Sequence, residues 1–147
     1  MITMVKEILK AKGDAVWSIP PDTPILKAMK IMAEKQIGDL LILEDNRITG
    51  IVSERDFIRM IARDGACKLD KPVRDVMTRE VYTIGPSENI EACMKMMTEK
   101  RIRHLPVVEG DQILGMISIG DVIKGIITSQ KFTIDQLEKY IGGGYNR

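Results

Sequence analysis

Apolar residues at steps of three and four mark two helical faces in this chain. Ile25, Ala28, Met29 and Met32 form the first; Ile90, Cys93, Met94 and Met97 form the second. Each face follows a turn, "PPDTP" or "GPSEN", in which Pro and Gly punctuate and Asp, Ser or Thr can cap a helix. The helices end near "EKQIGD" and "EKRIRH". The apolar runs "LLIL" and "LPVV" come next, too short for helices and suited to buried strands. Polar turns, "EDNR" and "EGDQ", lead into second strands, "ITGIVS" and "ILGMIS", which makes two hairpins. A closing helix follows each hairpin, with Phe57, Ile58 and Ile61 on the first and Val122, Ile123 and Ile126 on the second. With a strand ahead of each first helix, the predicted order is strand, helix, strand, strand, helix, twice over.

The two halves are copies. Laying residues 18–63 over 83–128 without a gap gives 17 identities in 46 positions, where chance at ordinary composition gives about three. The matches include Pro21 with Pro86, Met29 with Met94, Leu40 with Leu105, Gly50 with Gly115, Ser53 with Ser118 and Asp56 with Asp121. A period of 65 residues is too long for most solenoid units and fits two compact subdomains. The predicted organisation is a lead-in helix over residues 1–15, repeat one over 16–63, a linker over 64–80, repeat two over 81–128, and a C-terminal helix and tail over 129–147. "VKEILKAK" near the start echoes "VRDVMT" at 73–78, so each repeat has a short lead-in. "TIDQLEKYI" places Ile134, Leu137 and Ile141 on one side of an amphipathic terminal helix, and "GGGYNR" reads as a frayed end.

Charge narrows the function classes. Lys and Arg total 22 against 21 Asp and Glu, a formal charge of +1, so no electrostatic footprint for nucleic acid or an acidic membrane exists. Cys67 and Cys93 lack metal-site spacing and form no disulfide framework, which fits a reducing compartment. Lys6, Glu7, Lys10 and Lys12 interrupt the apolar start, and no later apolar run has transmembrane length. The expectation is a cytoplasmic protein without a membrane or nucleic-acid partner. Lacking a histidine pair, a nucleophile elbow or clustered metal ligands, the chain offers no basis for acid-base or metal catalysis.

Both hairpins close on one motif, "GIVSERD" at 50–56 and "GMISIGD" at 115–121. With this motif so placed in a duplicated strand, helix, strand, strand, helix unit, the chain resembles a CBS domain pair, the regulatory module first recognised in cystathionine beta-synthase. "SERDF", "RIRHLPV" and "SIGDV" are similar to strings in small stand-alone bacterial CBS pairs, and the tail "LEKYI" is similar to that subgroup as well. The resemblance implies an α/β (α+β) fold in which tandem repeats pack with pseudo-two-fold symmetry. It also implies a homodimer, and adenosine nucleotides such as AMP, ATP or NAD(H) bound in clefts between the repeats. No cofactor is required.

The motif chemistry allows two readings. In the first, Ser53 with Asp56 and Ser118 with Asp121 are capping boxes at a strand-to-helix junction. In the second, the helix start and the serine hydroxyl hold a phosphate while the aspartate accepts from a ribose diol. The glycine ahead of each serine permits close backbone approach. The repeats differ between Ser and Asp, where repeat one has Arg55 and repeat two has Gly120, and before the first hairpin strand, where only repeat two carries Arg103 and His104. The expected nucleotide-binding set is therefore Ser118, Gly120, Asp121, Arg103 and His104, with Ser53, Arg55 and Asp56, joined by Ile19 and Ile84 at matching positions ahead of the helices. Repeat two is expected to hold the tighter site. The methionines at helical spacing are core or interface filler, able to meet a second CBS pair or an unidentified protein partner. The competing reading is a ligand-free CBS module kept for dimerisation or docking.

Overall fold

A computed structural model describes residues 3–145, with side chains through 141. In chain order its elements are α1 (Val5–Lys12), β1 (Ser18–Ile19), α2 (Ile25–Lys35), β2 (Asp39–Glu44), β3 (Arg47–Ser53), α3 (Glu54–Asp64), a 3-10 turn at Val73–Asp75, α4 (Ile90–Lys100), β4 (His104–Glu109), β5 (Gln112–Ser118) and α5 (Ile119–Tyr145). These elements form two units. One is Val16–Tyr82; the other joins the start of the chain, through Ala15, to Thr83 and all that follows.

In the Val16–Tyr82 unit the sheet order is β1-β2-β3, with β1 parallel and β3 antiparallel to β2. Asp45 and Asn46 both have positive φ, as a tight two-residue hairpin turn requires. A core of Ile19, Ile25, Ala28, Met32, Leu40, Ile42, Val52, Phe57, Met60 and Val73 fills the space between sheet and helices. The first amides of α2 have no side-chain cap; Ile25 and Leu26 donate instead to the carbonyls of Lys71 and Leu69.

The second unit repeats the pattern with β4-β5 antiparallel. Its bulge, between Val107 and Val108, matches the one between Ile42 and Leu43. The expected first strand shrinks to a single parallel bridge, Ile84 to Val107. The reason lies in one residue: Leu41 donates its amide to the Trp17 carbonyl, and the matching position is Pro106, which has no N–H to give. The expected closing helix and terminal helix are one continuous helix, α5, because residues 128–133 contain no breaker. That helix includes the backbone of the three glycines and Tyr145; Asn146 and Arg147, the rest of the expected frayed end, lie outside the described residues.

The lead-ins also sort differently from their order in sequence. Val5 donates to Glu88 and Lys6 to Pro86, so the segment ahead of repeat one is built into repeat two. Val73 donates to Thr23 and Arg74 to Pro21, which ties the second lead-in back onto repeat one. Each repeat is completed by the lead-in that does not directly precede it.

Candidate functional site

The serine-aspartate motifs sit where each hairpin hands over to a helix. Ser53 ends β3 opposite Asp39, and Ser118 ends β5 opposite His104. Both motifs are capping boxes. Ser53 and Asp56 make the reciprocal pair. In repeat two the Asp121 amide donates to Ser118 Oγ (3.1 Å), and the Ser118 amide donates to Asp121 Oδ2 (2.8 Å). Two of the first helical amides are thereby engaged, since that of Ile119 goes to the Arg103 carbonyl (2.8 Å). Fewer amides remain for an anion than the motif suggests.

The two carboxylates differ in what surrounds them. Asp56 is 7% exposed and fully engaged: Oδ1 accepts from the Thr78 hydroxyl at 2.9 Å, and Oδ2 accepts from the Ser53 amide (2.8 Å) and hydroxyl (3.1 Å). Asp121 is more open, its side chain 16% exposed. Its Oδ2 accepts from the Ser118 amide and, at 2.6 Å, from Lys12 Nζ. Lys12 also donates to the Met116 carbonyl at 2.9 Å. Burial pushes the Asp121 carboxyl up, but the hydrogen bond from Lys12, those from Ser118 and the lysine charge outweigh it and hold it below the usual carboxylate range. Asp121 is an anion at neutral pH.

Repeat two thus gathers Ser118, Gly120, Asp121, Arg103 and His104 around one junction. Arg103 and Gly120 are exposed and His104 is half-buried. In repeat one Arg55 is exposed on the first turn of α3 beside the sealed Asp56. Ile19 lies in β1 and Ile84 in the bridge to Val107, and each side chain is 6% exposed. The motif glycines are closely packed. A Cβ on Gly115 would lie 2.6 Å from Leu9 Cδ2, and one on Gly50 would lie 2.6 Å from Met77 Sδ and 3.0 Å from the Thr78 carbonyl oxygen. The space beside each glycine is filled by a lead-in.

Lys12 and Thr78 are the residues that sequence reasoning missed. Both arrive on lead-ins, and laying Val5 over Val73 puts Lys10, not Lys12, on Thr78. Among the described residues, no group of three or more His, Cys, Asp or Glu could hold a metal ion, and no helix is long and apolar enough to cross a membrane.

The CBS domain family matches residues 5–63 and 73–128. The mitochondrial CBS domain-containing protein CBSX3 of Arabidopsis thaliana is 33% identical across 97% of this chain and 74% of its own length. A solved putative signal-transduction protein with CBS domains from Burkholderia ambifaria is 40% identical, with a TM-score of 0.82 over 87% of this chain and 96% of that one. The CBS domain protein PAE2072 from Pyrobaculum aerophilum, complexed with AMP, shares the fold at 24% identity, with a TM-score of 0.70 over 80% of this chain and 88% of that one. With both matched segments containing the glycine, serine and aspartate of the capped junction, the chain belongs to the CBS domain family, as a tandem pair.

Proposed function

We propose that the chain is a non-catalytic regulatory module that binds an adenosine nucleotide at the Ser118–Asp121 junction. The carrying observation is the Asp121 carboxylate, ionised and partly exposed, where the matching Asp56 is buried. A ribose cis-diol supplies two donors at the spacing of one carboxylate. Lys12 and Arg103 then supply cations for the phosphate, as a point charge and as a planar fork. AMP, ATP, NAD(H) and S-adenosylmethionine all carry the adenosine part. The AMP complex of the Pyrobaculum aerophilum protein supports a ligand of this class.

Signalling would pass through Lys12. Its ammonium ties α1 to the start of α5 and to Met116 in β5, so a ligand that takes Asp121 or draws Lys12 to a phosphate loosens or resets that tie. A partner that reads α1 would sense the nucleotide, provided ligand affinity differs between the two states. A homodimer in a reducing compartment such as the cytoplasm completes the reading. Its support is the groove of 420 Å³ lined by Met29, Met32, Ala33, Ile37 and Phe57, with Leu26, Ile58 and Ile61 exposed on the same helices, and two free cysteines.

For repeat one, the sealed Asp56 favours the other reading, a capping box that holds Thr78 and the second lead-in in place. Calorimetry with AMP, ATP, NADH, S-adenosylmethionine and adenosine tests the proposal. One saturable site that prefers a phosphorylated adenosine supports it, and a flat response to all five removes it.

A further inference from the structure

From residue 130 to 141 every side chain of α5 is exposed, so this stretch packs on nothing in its own chain. A helical segment of about a dozen residues without tertiary packing is marginal in water. Its apolar residues are nonetheless ordered. Ile127, Ile134, Leu137 and Ile141, each 50% to 56% exposed, fall at alternating steps of three and four once Gln130 fills the gap. That is the spacing of a coiled-coil seam, with isoleucine at the a positions 127, 134 and 141 and leucine at d position 137. The stripe runs about 21 Å at 1.5 Å per residue. Phe132 lies on the opposite side of the helix.

We propose that this stripe docks on the same stripe of a second copy of the chain, forming an antiparallel two-helix coil. The flanking charges select the occupant and its direction. Lys131 and Glu138 stand on one flank of the seam, one heptad apart; the other flank carries Ile126, Thr133 and Tyr140. A parallel pair sets one flank against the other and leaves both charges without a complement. An antiparallel pair sets like flank against like flank. With Ile134 against the partner subunit's Leu137, and Gln130 against the partner subunit's Ile141, Lys131 meets Glu138 of the partner subunit, and the two-fold axis makes the contact twice. This surface is on a different helix from the groove between α2 and α3, so it stands whether or not that groove pairs.

Cross-linking of the full chain tests the register. In a Cys67→Ser background, Cys93 stays silent, since burial first and the nearby Glu88 second push its thiol up to about 11. Gln130→Cys chains mixed with Ile141→Cys chains should give a covalent dimer with a short bismaleimide, and neither variant alone should. Lys131→Glu should lower the yield about tenfold, two exposed pairs being turned repulsive, and adding Glu138→Lys to the same chain should restore it. Self-cross-linking of Ile141→Cys would overturn the antiparallel pairing. Absence of any product from the mixture would overturn the docking itself, and yields indifferent to the charge changes would remove the Lys131–Glu138 contact.

Discussion

Replacing each motif aspartate by alanine should separate binding from folding, because the two carboxylates do different work. At Asp121 the proposed diol contact is a pair of hydrogen bonds to an anion, each worth roughly 1.5–3 kcal/mol, so losing both costs about 3–6 kcal/mol, or upwards of roughly 150-fold in AMP affinity. The fold loses a helix cap, about 1 kcal/mol, and an ion pair with the partly exposed Lys12 whose value after screening is about 0.5 kcal/mol. At about 3 °C per kcal/mol for a chain of this size, Tm should fall by roughly 5 °C. Asp56→Ala removes a cap of the same kind and also strands the Thr78 hydroxyl that donates to the buried carboxylate. That change should cost about 2.5–4 kcal/mol, or roughly 8–12 °C in Tm, while leaving AMP affinity at the Asp121 site within about twofold. Differential scanning fluorimetry reads the first quantity. Calorimetry well below both transitions reads the second on folded protein. If Asp56→Ala weakened AMP as much as Asp121→Ala did, the open carboxylate would have no special part in binding, and the reasoning from burial and partners would fail.

The remaining expectations follow from the same geometry. A 2'-deoxy analogue of AMP should bind roughly 1.5–3 kcal/mol more weakly than AMP by calorimetry; equal affinity removes the diol contact. Arg103→Ala should weaken AMP while leaving adenosine nearly unchanged, since only the phosphate needs the guanidinium; a loss shared by both ligands would make Arg103 a structural residue. Lys12→Met should destabilise the protein by about 0.5–1 kcal/mol at neutral pH in urea titrations. Because the native Asp121 carboxyl is held low, this contribution is full above about pH 3.9 and disappears as pH falls through the native value, so wild type and variant should converge in acid. A gap that persists there would mean that Lys12 acts through packing. Gly50→Ala should cost about 1–3 kcal/mol and more than Gly115→Ala, because its new Cβ meets the Thr78 backbone as well as a side chain. Equal losses would show that the Thr78 contact relaxes freely.

Features that depend on short separations and on the duplication were legible in the chain. Steps of three and four placed α2 and α4, two turns between apolar runs placed the hairpins, and Ser-x-x-Asp specified the capping boxes, since those hydrogen bonds join residues three apart. The identities between halves established two units of one fold. The tertiary structure decided which carboxylate stays open. Lys12 reaches Asp121 across 109 positions of sequence, and Thr78 reaches Asp56 across 22. No spacing rule relates such pairs, because each depends on where a lead-in packs, and that is set by Leu9 against Gly115 and Met77 against Gly50. Ile19 and Ile84 show the same limit: their apolar character was legible in the chain, but their burial at 6% exposure follows from the packing around them. Side-chain periodicity fixes the face a residue shares with its neighbours along the chain, whereas the partner across that face is chosen by the packing of the whole unit.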